Sequence, residues 1–311
     1  MLDPMNRALI VFNPLAGSSD AREVAVRAEA RLCAEGWSVE VISTRDRRGA
    51  TDIVRQLAGE IDLLVVAGGD GSLREAIEGL GGARDRVKVG FLPLGNANVV
   101  AQELGIPTEP SDAIELLCNG EAHAIDIGRV NMESNSQLFL AMVGIGWDAI
   151  TVDYVDRIRR TRVGRTCYRI WADGVYVMCG LLASLHVRPT RFTVLSNKEH
   201  FPNDFCAAHV CNFKTYGKGM SMAPDAGSGS GYLHYQLRKI SLLPALVWHL
   251  VAAVRKVRVP AFISTYGKGC LVSVHSHKPL PVQIDGDFLG KFCDLEVEIL
   301  AQEVQILVPR R

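Results

Sequence analysis

The residues best suited to chemistry form a short glycine-rich segment, which we call the glycine loop (residues 68–72). An apolar run of strand length ends there, and the next residues are Gly68, Gly69, Asp70, Gly71 and Ser72. Glycines let a backbone approach a phosphate closely, and a helix beginning here offers unpaired N–H groups to an anion. A carboxylate beside a triphosphate requires an intervening cation, so the segment predicts a nucleotide site with Mg²⁺. The alternative is a tight turn in which Asp70 caps a helix.

The elements around the glycine loop alternate between strand and helix patterns. We predict strands at 8–12, 37–43, 63–67 and 87–92, with helices near 21–35, 51–59, 72–79, 99–104 and 111–117. This alternation indicates a doubly wound parallel sheet for residues 1–125. Ligands of such sheets bind at the carboxyl ends of the strands, which is where the glycine loop falls.

The pattern changes near Asp126, after which strand-like runs follow one another. We predict a mainly antiparallel β domain over 126–300, with inserted helices near 148–159, 164–185 and 242–256. The segment from about 301 to 311 contains a last strand at 304–308, which we expect to return to the first domain. The fold class is therefore α/β followed by mainly β, in two domains.

Composition restricts the classes of function that are open to the chain. Lys plus Arg equals Asp plus Glu at 34 each, so no global charge directs the protein to nucleic acid. Eight cysteines are scattered without a CxxC pair, which is typical of reduced thiols in a cytoplasmic protein. No uncharged apolar run reaches the ~18 residues of a membrane span.

Several segments in order along the chain resemble the diacylglycerol kinase catalytic-domain family, which includes soluble bacterial lipid kinases, sphingosine kinases and ceramide kinases. The resemblance is carried by Asn13 with Gly17, the glycine loop with Glu75, and the segments 93–98, 126–128, 144–149, 223–226 and 285–287. It implies an NAD kinase-like first domain that binds ATP and a β-sandwich-like second domain that helps to bind a lipid alcohol such as diacylglycerol or a sphingoid base.

The resemblance also implies nucleotide contacts beyond the glycine loop. Asn13, Gly17 and Thr44 follow the first two strands, and Gly95, Asn96 and Asn98 lie in a second loop (residues 93–98) after the fourth. Asn98 could donate its amide to a phosphate or ribose oxygen; the alternative is that it caps the next helix. Asn96 replaces a threonine that is common at this position in the family, so this chain lacks the hydroxyl that would make the threonine's contact.

Asp285 is the candidate general base, in a segment that we call the acid turn (residues 285–287). It would accept the proton of the lipid hydroxyl as the γ-phosphoryl group transfers, while Gly286 lets the chain turn. Asp70 and Asp287 are the candidate ligands of the catalytic Mg²⁺. The family usually has glutamate at position 287. Because Asp287 is shorter, we predict a weaker contact with Mg²⁺ or with Asp285. A plain β-turn is the alternative.

A further departure from the family lies after residues 223–226. Some bacterial members hold a structural magnesium ion there, and this chain has Ser230 and His234 in place of two acids. Because Mg²⁺ prefers anionic oxygen ligands, we predict that this accessory site is absent or weak.

The basic stretch between Arg157 and Arg169 precedes a largely apolar helical pattern. It predicts that residues 157–185 contact anionic lipid, as a cytoplasmic protein bound peripherally to the inner face of the membrane. A solvated basic face above core helices is the alternative, and a homodimer remains open. The competing functions are an NAD kinase-like enzyme and a non-catalytic regulator that binds lipid or nucleotide.

Overall fold

The structure is a computed structural model that describes residues 6–14, 20–44, 49–133, 135–186, 190, 192–196, 199–201, 205, 207–217, 219–239 and 243–310. The strands in these ranges are β1 (Arg7–Phe12), β2 (Ser38–Ser43), β3 (Leu63–Gly68), β4 (Lys88–Pro93), β5 (Glu121–Met132), β6 (Asn135–Phe139), β7 (Met142–Gly146), β8 (Thr193–Ser196), β9 (Glu199–Phe201), β10 (Ala207–Cys211), β11 (Leu233–Arg238), β12 (Ser264–Gly269), β13 (Leu271–Ile284) and β14 (Asp287–Val308). The helices are α1 (Ala21–Ala34), α2 (Gly49–Leu57), α3 (Asp70–Leu80), α4 (Val99–Leu104), α5 (Pro110–Asn119), α6 (Trp147–Arg160), α7 (Arg162–His186) and α8 (Leu243–Arg255).

The first part of the chain folds as the predicted doubly wound parallel sheet. β1 pairs in parallel with β2 and β3, and β3 pairs in parallel with β4. Alternate residues of β3 enter two apolar layers: Leu64 and Val66 face α2, α3 and α4, whereas Leu63 and Val65 face α1 and α5. A strand covered on both faces must be apolar along its whole length, which is why β3 is a continuous hydrophobic run.

The second part is antiparallel and has two unlike faces. The strands β12, β11, β10, β7 and β13 are neighbours in that order. One face is an apolar core that includes Val143, Val210 and Leu237. The other face carries His209 and Gln283, which flank Gly144 of β7 in one row across three strands. The buried polar row is covered by the start of α6, so both faces are removed from water.

The strand β14 joins the two parts. Its 22 residues pair first with β13 and β5 in antiparallel fashion, and near the end Gln305 and Ile306 pair in parallel with β4. β5, which the sequence analysis did not predict, accompanies β14 along most of this path and contains the predicted boundary at Asp126. The sheet is therefore continuous between the two parts, and the domain limits themselves stay predictions.

The first strand-like run after Asp126, at residues 138–143, belongs to two strands in the structure. β6 ends at Phe139 and β7 begins at Met142. The N–H groups of Leu140 and Ala141 donate to the carboxylate of Asp285 instead of to a neighbouring strand. Strand pairing is interrupted because these donors have a side-chain partner, and this interruption lies at the candidate site.

Among the described residues, no helix combines the length and the hydropathy that a membrane span requires.

Candidate active site

The glycine loop and the second loop lie backbone to backbone at the carboxyl ends of β3 and β4. A Cβ atom on Gly95 would lie 2.7 Å from the Cα of Gly69, and one on Gly69 would lie 3.4 Å from the Cα of Gly95. The N–H of Leu94 also donates to the carbonyl of Gly68 at 2.8 Å. Only glycine at position 95 permits this approach, so the two loops form one floor lined by backbone.

Asp70 is the first residue of α3, but its carboxylate caps a different helix. Its two oxygens accept the N–H groups of Val99 and Val100 at 3.0 Å each, which are the first two residues of α4. Burial raises the pKa of Asp70, and these backbone hydrogen bonds oppose the rise. The N-cap residue of α3 is Gly69, which has no side chain with which to cap the helix. Asp70 therefore fixes the second loop beside the glycine loop, while α3 keeps an N-terminus suited to an anion.

The side chain of Asn98 has its partners within the second loop. Its Nδ2 donates to the carbonyls of Pro93 at 3.3 Å and Gly95 at 2.9 Å, so both amide hydrogens are used within the second loop. Its backbone is left-handed, with φ of 47°, and its side chain makes no cap hydrogen bond to α4. Asn98 thus shapes the loop, because the left-handed turn directs the amide back over residues 93–95. The alternative of a helix cap does not fit this geometry, and the predicted contact of Asn98 with a phosphate or ribose oxygen stays a prediction.

Asn13 and Ser72 flank Gly68 at the start of the glycine loop. The N–H of Asn13 donates to the carbonyl of Ala67 at 3.1 Å. A Cβ atom on Gly68 would lie 2.9 Å from the Oγ of Ser72 and 3.9 Å from the Cβ of Asn13. Asn13 and Ser72, which were both predicted to contact the nucleotide, therefore lie close to each other beside Gly68.

The remaining predicted nucleotide residues are farther along the sheet edge or on its surface. Thr44 is buried, and its N–H donates to the carbonyl of Phe12 at 2.9 Å, which places it beside the end of β1. Asn96 is exposed at the tip of the second loop. Gly17 lies outside the described residues, so its predicted role stays a prediction.

The acid turn lies between β13 and β14 and holds Asp285 in an unusual conformation. Asp285 and Gly286 have φ of 47° and 88°, as a tight hairpin turn requires. The carboxylate of Asp285 accepts three backbone N–H groups, from Leu140 at 2.8 Å, Ala141 at 2.8 Å and Met142 at 3.1 Å. Its side chain is only 4% exposed. This carboxylate therefore ties the acid turn to the link between β6 and β7.

Arg74 connects the acid turn to the glycine loop. Its Nη2 donates to Asp287 Oδ2 at 2.7 Å, and its Nε lies 3.8 Å from Asp285 Oδ2. The same oxygen of Asp287 would lie 3.8 Å from a Cβ atom on Gly71. Arg74 is not among the site residues predicted from the sequence. Its position four residues after Asp70 is the sequence signal that could have identified it, because residues i and i+4 share one face of a helix.

A second polar chain reaches the acid turn from α6. The N–H of Gly286 donates to Gln283 Oε1 at 2.8 Å, and Gln283 Nε2 donates to Asp148 Oδ2 at 2.6 Å. Burial raises the pKa of Asp148, while Gln283, Tyr216 and Arg238 oppose the rise. Burial likewise raises the pKa of Asp285, against the guanidinium of Arg74 and three backbone N–H groups. The residues 144–149 thus support the acid turn from behind.

Asp126, from another segment of the resemblance, is a structural residue. Its oxygens accept the N–H groups of Gly231 at 2.7 Å and Gln302 at 2.9 Å. It is fully buried, and it joins the loop before β11 to the irregular part of β14. Ser230 lies in the same loop and bonds locally to Tyr232.

The donors at the site fit a magnesium ion that arrives with a nucleotide. No group of three His, Cys, Asp or Glu side chains in the described part of the chain could hold a metal ion alone. Mg²⁺ usually binds through one or two carboxylates together with substrate phosphates. Asp70 beside the glycine loop and Asp287, whose side chain is 41% exposed, offer such carboxylates.

Comparisons with known proteins agree with this geometry. Residues 7–130 match the model of the diacylglycerol kinase catalytic domain, and residues 141–308 match the YegS C-terminal NAD kinase beta sandwich-like domain. A diacylglycerol kinase of Mycobacterium tuberculosis is 30% identical over 98% of this chain and 96% of its own length. A diacylglycerol kinase of Bacillus subtilis is 26% identical over 98% and 97%.

The fold is shared with a crystal structure of a diacylglycerol kinase from Bacillus anthracis. The TM-score is 0.71 at 16% identity, over 98% of this chain and 97% of that one. The matches confirm the predicted fold class, an NAD kinase-like domain with a β-sandwich-like domain, and the predicted enzyme class of kinase. This chain belongs to the diacylglycerol kinase catalytic-domain family.

Proposed function

We propose that this protein transfers the γ-phosphoryl group of ATP to the hydroxyl of a lipid alcohol, such as diacylglycerol or a sphingoid base. The observation that carries the proposal is the contact between the acid turn and α3. Arg74 reaches Asp287 across 213 positions of sequence at 2.7 Å, directly behind the glycine loop. Candidate phosphate-binding backbone and candidate acids therefore share one location, as phosphoryl transfer requires.

The floor formed by the two loops suits the phosphate chain. The glycines expose backbone donors, and the uncapped N-terminus of α3 adds a favourable dipole for anionic oxygens. Asp70 and Asp287 would hold Mg²⁺, which when bound supplies positive charge to the phosphates. Thr44, Asn13 and Ser72 line the same edge of the sheet and would contact the rest of the nucleotide.

Asp285 remains the proposed general base. A carboxylate offers about four acceptor positions, and three backbone N–H groups occupy three of them. The remaining position would accept the proton of the lipid hydroxyl. Burial raises the pKa of Asp285, which makes its carboxylate a stronger proton acceptor than an exposed one.

A membrane surface is the proposed source of the lipid. Two helices of the second part present apolar side chains to water, Met178 and Leu181 on α7 and Trp248 and Val251 on α8. In each helix the two residues are three positions apart and so lie on one face. Exposed Arg160 and Arg165 lie at the end of α6 and near the start of α7. We propose that both faces bind the inner face of an anionic membrane from the cytoplasm.

One assay separates this function from its competitors. Purified protein is incubated with radiolabelled ATP, Mg²⁺ and a panel of lipid alcohols in mixed micelles, with NAD as a parallel acceptor. We expect label on a lipid alcohol and none on NAD. Label on NAD alone would make the protein an NAD kinase-like enzyme. Retention of nucleotide and lipid without any transfer would favour the non-catalytic regulator.

A further inference from the structure

We propose that Arg74 is a positioning residue that holds the acid turn against the helix of the glycine loop. The proposal rests on the proposed function for its kinetic consequences. Arg74 and Asp287 are 213 positions apart in the chain. The guanidinium faces both acids of the turn, at 2.7 Å from Asp287 and 3.8 Å from Asp285.

The burial of Arg74 argues that this contact is specific. Its side chain is only 7% exposed, and its Nε is a buried nitrogen without a hydrogen-bond partner. A guanidinium removed from water is costly unless acids offset the loss of hydration. Asp285 and Asp287 supply that compensation, so a displaced acid turn would leave the charge of Arg74 unpaired. The acid turn is thereby restrained to one position relative to α3.

The same helix fixes the other candidate acid. Asp70 and Arg74 lie one turn apart on α3, so Arg74 transmits the position of Asp70 to the acid turn. Phosphoryl transfer depends mainly on positioning, and an error of about 1 Å in a reacting group lowers a rate by about 100-fold. Arg74 would therefore affect turnover without contacting a substrate.

Two variants test this role. Arg74→Met removes the charge and both contacts, and we expect kcat to fall about 100-fold while KM for ATP and for lipid stays within about twofold. Arg74→Lys keeps the charge but not the planar fork, and we expect a loss of about tenfold. Arg84→Met is the matched control, because Arg84 pairs with Glu303 at 2.9 Å, which is also a contact between distant positions of the chain but lies away from the acid turn.

The split between kcat and KM distinguishes positioning from general stabilisation. A shifted acid turn slows the transfer step in the folded enzyme, whereas a loss of stability alone lowers the amount of folded protein and leaves the kcat of each folded molecule unchanged. Arg84→Met should therefore keep the wild-type kcat.

Hydrogen exchange tests the same contact without any activity. The N–H groups of residues 140–142 are held by Asp285, so a released acid turn should speed their exchange at least tenfold in Arg74→Met and not in Arg84→Met. If the wild type phosphorylates no lipid while exchange still responds, the proposed function fails and the positioning contact stands. Wild-type exchange and wild-type kcat in a folded Arg74→Met or Arg74→Lys protein would overturn the proposal.

Discussion

Gly69 and Gly95 lie in loops that follow two neighbouring strands, and a Cβ atom on Gly95 would be 2.7 Å from the Cα of Gly69. The contact arises because β3 and β4 are parallel partners, with Gly68 opposite Pro93 at the ends of the strands. Their loops therefore leave the sheet side by side. The backbone of each loop forms part of the wall of the other, so a change in one loop must displace both.

Replacing Gly95 by alanine should disturb the site more than it disturbs the rest of the fold. The added methyl group meets backbone, which cannot turn aside as a flexible side chain would. We expect a loss of about 1–3 kcal/mol in the free energy of unfolding, together with weaker nucleotide binding. Gly59→Ala is the control, because nothing lies within 4 Å of its Cβ position. Thermal unfolding and ATP titration check both variants, and equal behaviour would contradict the proposed shared floor.

Asp70→Asn should reduce turnover by about 100-fold or more and destabilise the protein by about 1 kcal/mol. The loss of stability is expected because one of the two N–H groups of α4 would face an amide donor instead of a carboxylate oxygen. Asp20→Asn is a matched change, since Asp20 caps α1 with the same kind of bond. Steady-state rates and thermal unfolding separate the effects: comparable activity in the two variants would remove Asp70 from the site.

The location of the site was predictable from the sequence for a simple reason. A buried strand, a run of glycines and a helix in that order place the loop at the carboxyl end of a parallel sheet, whatever the rest of the fold. The antiparallel second part was predictable from successive strand-like runs. The long path of β14 was not, because its pairing with β4, β5 and β13 is tertiary and leaves no local pattern.

The hydrogen-bond partners of individual side chains could not be predicted from the sequence either. Asn98 was expected to meet a phosphate, but its amide is used by its own loop. Asp70 was considered as a cap for the helix it begins, and it caps α4 instead. Arg74 was overlooked because an arginine in an early helical turn is usually solvated, and only the fold brings two acids to it. The sequence indicates which residues lie near the candidate site, whereas their individual contacts depend on the tertiary fold.

Asp148→Asn should stabilise the protein at neutral pH. Burial raises the pKa of Asp148 above its ordinary value, so the folded state binds more protons than the unfolded state between those two values. Stability of the wild type therefore falls as pH rises through that window and remains lower above it. Asparagine carries no charge, so we expect a gain of about 1–2 kcal/mol at pH 7 that shrinks as pH approaches 4.

Urea unfolding of Asp148→Asn and of the wild type from pH 4 to pH 8 measures that gain. Asp85→Asn, an exposed change of the same type, is the control. The amide can preserve the local contacts, because its oxygen can accept from Gln283 and its nitrogen can face Tyr216. A gain that is constant across the pH range would contradict a buried charge at this position.

Membrane binding should depend on charge and on apolar contact in separable ways. Arg160→Glu combined with Arg165→Glu should weaken binding to anionic vesicles by more than about tenfold, since each basic residue contributes about 1 kcal/mol there. Trp248→Ser, on the exposed face of α8, should weaken binding to anionic and neutral vesicles alike. Arg22→Glu with Arg27→Glu on α1 is the control. Vesicle flotation at low and high salt measures the binding. Equal binding to anionic and neutral vesicles at both salt concentrations would reject the electrostatic contribution.

Asp285→Asn and Asp287→Asn should both reduce turnover but should differ in their effect on stability. The carboxylate of Asp285 accepts three backbone N–H groups, so Asp285→Asn turns a donor toward other donors. We expect a loss of about 1–3 kcal/mol in stability in addition to the loss of turnover. Asp287 is 41% exposed, and the oxygen of an asparagine there can still accept from the buried Arg74, so Asp287→Asn should lose turnover with a smaller loss of stability than Asp285→Asn.

This difference determines how the base can be identified. Because Asp285→Asn is expected to affect folding, its loss of activity alone does not assign the proton transfer. Rates should therefore be compared at temperatures where each variant is fully folded, as judged by circular dichroism. Asp285 remains the proposed base if kcat is still at least about 100-fold lower there, in line with a lost general base. A folded Asp285→Asn protein with nearly wild-type kcat would limit Asp285 to holding residues 140–142 in place.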